Sequence, residues 1–348
     1  MNANSPLNTP IVLKDNYGTP RELKRNDNAS LHNLGDGVLC LEFHSKGNTL
    51  DTLIYEMGEV ALDVLEGSAE YLAMVIGSQA KDFCLGANIN QFLQAVALAN
   101  GDVKLLEPVV GVLQELLMRL RFSAKPIVVA PYGRVLGGGA EVVMAGASVI
   151  APANLRIGLV EVGVGVIPAG GGCKELLRRV VSPQAVNAHN DILPALKAVF
   201  ERIAFAQVSE NGQVAQQRGF LGSDDEIVSK ADRLMDVAKQ RVIALAEAGY
   251  APPDRTTQNV WAAGRAGKAV LATSINQAQA DGRFSAYDAH IAHTLAHVLC
   301  GGDLPVPQWV AEDDILALER EAFAQLLGEP KTQDRIAHML KVAKPLRN

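Results

Sequence analysis

Lys125-Pro126-Ile127-Val128-Val129-Ala130-Pro131-Tyr132-Gly133-Arg134-Val135-Leu136-Gly137-Gly138-Gly139-Ala140-Glu141 is the stretch on which the reading of this chain turns. Ile127 to Ala130 is a short apolar run, suited to a strand buried on both faces. Three successive glycines follow, with no side chains to keep a ligand off the backbone. Helix-forming residues begin at Ala140 and Glu141, so the pattern predicts strand, sharp turn, helix. A helix N-terminus carries free N–H groups and the positive end of a dipole. The glycine turn can therefore offer backbone donors to an oxygen that gains negative charge. Glu141, in the first turn, stands near that oxygen's neighbours. Such a place can stabilise an enolate and move a proton.

Working outward, strands and helices alternate. Leu31 to Leu34, then Gly35-Asp36-Gly37, then Val38 to Phe43 reads as a hairpin, because Asp-Gly supplies the positive φ of a tight turn. Apolar residues from Leu50 to Val64 recur at helical spacing. Tyr71 to Ile76 is the next strand, and 103–121 is a long amphipathic helix. Val149-Ile150 and 156–160 are short strand candidates. A glycine-rich loop surrounds Pro168, and a helix resumes at Cys173. From about residue 191 the text is helical. Ser209 is expected to cap a helix ending at Gly219, and 232–248 is another helix. Further helices are expected at 259–279, at 286–299 with Ser285 and Asp288 as a capping pair, and at 311–327. Pro330 opens a last one. An α/β core over about 29–230 followed by a helical C-terminal region, 231–348, is the implied organisation. Residues 1–28, rich in Asn, Pro and charge, are expected to be a linker or tail.

Composition sets bounds. The chain has 348 residues, 48% of them hydrophobic, and a net charge of −6. That balance leaves no basic footprint for nucleic acid. Cys40, Cys84, Cys173 and Cys300 form no CxxC pair and no metal spacing, so free thiols in a reducing cytoplasm are expected. No apolar run approaches the ~18 residues of a membrane span, and the polar start lacks a signal peptide's hydrophobic segment. His290, His293 and His297 share a helix face, but without the glutamate of a zinc-protease helix they are expected to be packing or surface residues. The glycines of 163–168 lack the strand, helix and acidic residue of a dinucleotide fingerprint.

Glu161 ends a strand candidate where it enters the glycine loop. With Glu141 it makes a pair that can divide acid and base work, provided their environments separate their proton affinities. The loop Cys84-Leu85-Gly86-Ala87-Asn88 also follows a strand and opens a helix. Two such turns converging could form an oxyanion hole. By the residues alone, two solvated carboxylates and two unrelated turns fit the pattern as well.

Four blocks resemble, in order and spacing, the signatures of the crotonase (enoyl-CoA hydratase/isomerase) superfamily. They are Phe83-Cys84-Leu85-Gly86-Ala87-Asn88, Leu136-Gly137-Gly138-Gly139-Ala140-Glu141, Gly158-Leu159-Val160-Glu161 and Ile167-Pro168-Ala169-Gly170-Gly171. The resemblance implies the ClpP/crotonase spiral of ββα units, here with a C-terminal helical extension. It implies that the backbone N–H groups of Ala87 and Gly138 hold a thioester oxygen, and that Glu141 and Glu161 are the catalytic glutamates. Lys81, Phe83, Gly86, Asn88 and Gly137 then fall where the family meets its CoA thioester, and Asn48 near the asparagine of the first strand–helix turn.

The loop around Pro168 and the chain's last residues further resemble the hydratase part of bacterial multifunctional fatty-acid oxidation enzymes. That implies a link, by fusion or association, to a 3-hydroxyacyl-CoA dehydrogenase, with residues 1–28 as the seam. Hydration of a trans-2-enoyl-CoA by a cytoplasmic homo-oligomer is the implied function. No resident cofactor or metal is expected, because CoA enters with the substrate. A Δ3–Δ2 enoyl-CoA isomerase and a non-catalytic acyl-CoA-binding or assembly module are the alternatives.

Overall fold

Ala73–Gly77 and Ile127–Ala130 are buried at every position, as central parallel strands must be. The computed structural model describes residues 10–229 and 231–348. In chain order its strands are β1 (Glu22–Arg25), β2 (Ala29–Asn33), β3 (Val38–Phe43), β4 (Ala73–Gly77), β5 (Ile127–Ala130), β6 (Arg134–Leu136), β7 (Ser148–Pro152), β8 (Arg156–Gly158), β9 (Glu226–Val228), β10 (Val260–Ala262) and β11 (Gln308–Val310). Seven of them form one sheet in the order β1-β2-β3-β4-β5-β7-β9. Its first three strands run antiparallel and the remainder parallel. β6 and β8 form a separate parallel pair.

The pleat sends alternate residues to two different cores. Met74, Ile76 and Val129 join Leu62, Leu113 and Val143 from the helices Thr52–Gly67, Glu107–Arg121 and Gly138–Ala145. Ala73, Val75 and Val128 face Leu234, Ala238 and Val242 of the helix Leu234–Glu247. That helix is a layer of the α/β core, so the helical extension proper begins after it and not at residue 231.

The tail does not stand apart. Ile315, Phe323 and Leu327 of the helix Glu312–Leu327, and Ile336 of the helix Pro330–Val342, lie in the same apolar core as Leu113 and Val143. Among the described residues no helix is long and apolar enough to cross a membrane.

Several expectations need correction. Of the segment read as a linker, 1–9 lie outside the described residues, but 10–28 belong to the fold. Leu13 is fully buried and β1 pairs with β2 at the sheet edge. The stretch 125–141 holds a second strand, β6, between β5 and the helix. The helix expected over 103–121 is a 3-10 turn to Leu106 followed by Glu107–Arg121, broken where Pro108 enters the first turn. Asn211, not Ser209, caps the helix Gly212–Gln217, while Ser209 pairs with Ile157. The helix expected from 259 begins at Gly264, because 260–262 are spent on β10.

Candidate active site

Two strand-to-helix turns meet here. Residues 84–87 run beside β6: Leu136 donates its N–H to the Cys84 carbonyl at 2.9 Å, and Leu50 donates to Gly86 at 2.9 Å. Gly139 permits the contact. A Cβ there would stand 2.6 Å from Cys84 Cβ and 3.0 Å from the Cys84 carbonyl. Gly86 and Gly137 both have positive φ, +98° and +55°, a region that favours glycine. A Cβ at Gly137 would lie 3.6 Å from Gly86 Cα. Ala87 lies just before Asn88, the cap of the helix Ile89–Ala99, while Gly138 begins Gly138–Ala145. Among the described residues, neither the Ala87 nor the Gly138 N–H has a hydrogen-bond acceptor.

The two glutamates border these turns. A Cβ at Gly138 would stand 3.7 Å from Glu141 Oε2, and one at Gly137 would stand 3.4 Å from Glu161 Oε1. Adjacent glycines therefore each face one carboxyl. Glu141 Oε1 accepts the N–H of Gly170 at 2.7 Å and of Gly172 at 2.8 Å. Burial pushes its pKa up to about 7, against the pull of those two N–H groups and of the Lys174 ammonium. Glu161 heads a 3-10 turn, Glu161–Val164. Both its oxygens are sealed from solvent without a hydrogen-bond partner. Its own and Val160's N–H groups lie near without reaching hydrogen-bond geometry. Burial, then the neighbouring charges of Glu141 and Glu319, hold its proton affinity well above the carboxylate range. Two carboxyls side by side thus differ in character: N–H donors favour the anion at Glu141, and nothing comparable favours it at Glu161.

The sequence reading missed what the helical tail contributes. Glu319 is fully buried; its Oε2 accepts the Gly171 N–H and its Oε1 the Lys174 N–H, both at 2.8 Å. Glu312, two turns earlier on the same helix face, pairs with Arg121 at 2.7 Å and with Lys174 at 2.9 Å. Glu175 receives Lys174, Arg178 and Arg179. Glu312 and Glu319 sit seven residues apart within a stripe of Ile315, Leu316, Ala322, Phe323 and Leu326. Carboxylates recurring on an apolar helix face were the available signal.

The Phe83 side chain is fully buried against Phe43, with ring centroids 5.9 Å apart, so it can offer a ligand only backbone. Lys81 is exposed. Asn88 caps the helix Ile89–Ala99, its side chain accepting from Asn90 N–H. Asn48 is buried and donates to Ser78 Oγ at 2.9 Å and to the Asp82 carbonyl at 3.1 Å, bracing the loop that carries Lys81. All four cysteines are buried free thiols. His290 meets Glu329 and His297 meets Lys268. Among the described residues no cluster of three or more His, Cys, Asp or Glu is arranged to hold a metal.

Comparison with known proteins agrees with this geometry. Residues 34–191 match the family model described as enoyl-CoA hydratase/isomerase. A protein of Bacillus subtilis (strain 168) named "Probable 3-hydroxyacyl-CoA dehydrogenase" is 40% identical over 343 residues, 97% of this chain and 41% of that protein. Another from the same organism, "Probable enoyl-CoA hydratase", is 33% identical over 150 residues, 43% of this chain and 56% of that one. The chain thus spans well under two thirds of either relative's length. Among solved structures, a carnitinyl-CoA dehydratase from Mycobacterium thermoresistibile superposes with a TM-score of 0.64 at 16% identity, covering 92% of this chain and 91% of its own. An enoyl-CoA hydratase from Mycobacterium avium subsp. paratuberculosis gives 0.58 at 16% identity, with 93% and 100% covered. The chain has the crotonase fold with a helical C-terminal region, and residues 34–191 form its enoyl-CoA hydratase/isomerase family domain.

Proposed function

We propose that this chain hydrates trans-2-enoyl-CoA thioesters to 3-hydroxyacyl-CoA. The observation that carries the reading is the pair of unlike buried carboxyls beside two backbone N–H groups without acceptors. The thioester oxygen takes the Ala87 and Gly138 N–H groups, which stabilise the charge it acquires. Glu141, as the anion, removes a proton from water while the hydroxyl oxygen bonds to C3. The C2–C3 π pair moves toward the thioester, giving an enolate. Glu161, as the acid, delivers a proton to C2 and the carbonyl re-forms. The cycle closes when the proton left on Glu141 passes to Glu161 through solvent. The thioester is the electron sink, so this chemistry calls for no resident cofactor.

Lys81 and the backbone of 83–88 with Gly137 are assigned to the CoA portion. The likeness to a longer dehydrogenase-named protein supports a place beside 3-hydroxyacyl-CoA oxidation in fatty-acid breakdown. Loss of the conjugated-thioester absorbance of crotonyl-CoA on adding the protein tests the reading. Binding of acetoacetyl-CoA without turnover would leave a binding module instead. Turnover of a 3-enoyl-CoA with no hydration would make it an isomerase.

A further inference from the structure

The turn that receives Glu141 has N–H groups that serve two carboxyls in alternation. Gly170 and Gly172 donate to Glu141, while Gly171 and Lys174 donate to Glu319. Glu319 reaches in from the helix Glu312–Leu327, far along the chain, and each of its oxygens takes one N–H. A carboxylate buried on an apolar helix face opposes folding unless its partners repay the desolvation. These two N–H groups are its hydrogen-bond partners. Gly171 has φ +113°, and a Cβ there would press within 3.2 Å of Lys174 Cε. The turn is therefore held in a conformation that favours glycine, with two glutamates gripping it.

We propose that Glu319 is a positioning residue of the reaction, holding the 170–174 turn so that its alternate N–H groups aim Glu141. The inference rests on the hydratase reading given above. The ionisable groups facing Glu319 are Glu141 from the helix Gly138–Ala145, Glu161 from its 3-10 turn, and Cys173 and Lys174 from the helix start. The Lys174 ammonium is itself taken by Glu175 and Glu312. Burial, then the neighbouring charge of Glu141, holds the proton affinity of Glu319 well above the carboxylate range, against the pull of its two N–H donors and of the Lys174 ammonium. Where Glu319 carries its charge, it raises the proton affinity of Glu161.

Glu319→Gln keeps the volume but can accept only one of the two N–H groups, and it removes that charge. In the full chain, kcat for crotonyl-CoA hydration is expected to fall about 10- to 100-fold, the range a small misplacement of a reacting group produces. KM should stay near the wild-type value. The alkaline limb of the kcat profile should move to lower pH, because Glu161 then ionises more easily. Glu319→Asp restores the charge with a shorter reach and should return that limb toward its original position; it also serves if the glutamine variant fails to fold. Infrared titration of the buried carboxyl bands, assigned through Glu141→Gln and Glu161→Gln, reads the same shift without turnover. It thus separates failure of this proposal from failure of the hydratase reading. A folded Glu319→Gln protein with wild-type kcat overturns the proposal. So does a loss of kcat with both the pH limb and the bands unmoved, which would mark a packing role only.

Discussion

Glu141→Gln separates the carboxylate's chemistry from its architecture. Both N–H bonds, from Gly170 and Gly172, end on the same oxygen, Oε1, so an amide oxygen can keep both. What disappears is a proton acceptor and a buried charge. Burial raises this carboxyl from 4.5 to about 7. At about 1.4 kcal/mol per pH unit, the ionised group costs the fold about 3 kcal/mol at pH 8. The folded-state value is the higher one, so the stability is intact below pH 4.5 and is lost as pH rises through about 7. The amide does not titrate and escapes this loss, while its new NH₂ costs about 1–3 kcal/mol at every pH if it finds no acceptor. Urea unfolding of both proteins at pH 4.5 and pH 8 should show the difference moving about 3 kcal/mol in the mutant's favour. Hydration should meanwhile fall about 10²–10⁴-fold. A stability difference that does not change with pH would refute the raised proton affinity of Glu141. Hydration kept within about tenfold would refute its role as base.

Three further outcomes are expected. The kcat profile of the wild-type enzyme should be bell-shaped, rising as Glu141 ionises near pH 7 and falling where Glu161 loses its proton; Glu161→Gln should lose about 10²–10⁴-fold in rate, and the double glutamine variant should cost far less than the product of the singles. Gly139→Ala would force a Cβ to 2.6 Å from Cys84 Cβ, so it should destabilise by about 1–3 kcal/mol and weaken acetoacetyl-CoA binding measured by calorimetry, by spreading the two turns. Glu312→Ala leaves Arg121 and Lys174 short of a buried partner and should cost about 3–5 kcal/mol in denaturant unfolding.

Elements defined by local rules were legible in the sequence. The apolar run of β5 announces itself, as does the helix Ala286–Leu299 with its Ser285–Asp288 capping box. Elements that exist through distant pairing were not. β1 reads Glu-Leu-Lys-Arg, with no buried face to alternate; it is a strand because it lies against β2. β10 and β11 are three residues each and define one another through the register Val260 to Val310. The same distinction runs through the site. Glu141 and Glu161 stand within motifs whose spacing exposes them. Glu319 carries no motif, and its neighbours at Gly171 and Lys174 are supplied by the folded chain. Phe83 sits within a motif, yet its ring serves the core, because a motif fixes the backbone path and not the direction of each side chain.

The grip of Glu319 on Lys174 joins residues 145 positions apart, and that separation has a temporal meaning. A ribosome adding about 5–20 residues per second needs roughly 7–30 s to travel from the turn to the residue that clasps it. In the later part of that interval, once Val228 is made, the strands of the sheet can already be paired. The Gly171 and Lys174 N–H groups, and the apolar surface that the helix Glu312–Leu327 will cover, meanwhile face water or whatever chaperone attends the nascent chain. The 170–174 turn is made half-way along these 348 residues and fastened only near their end.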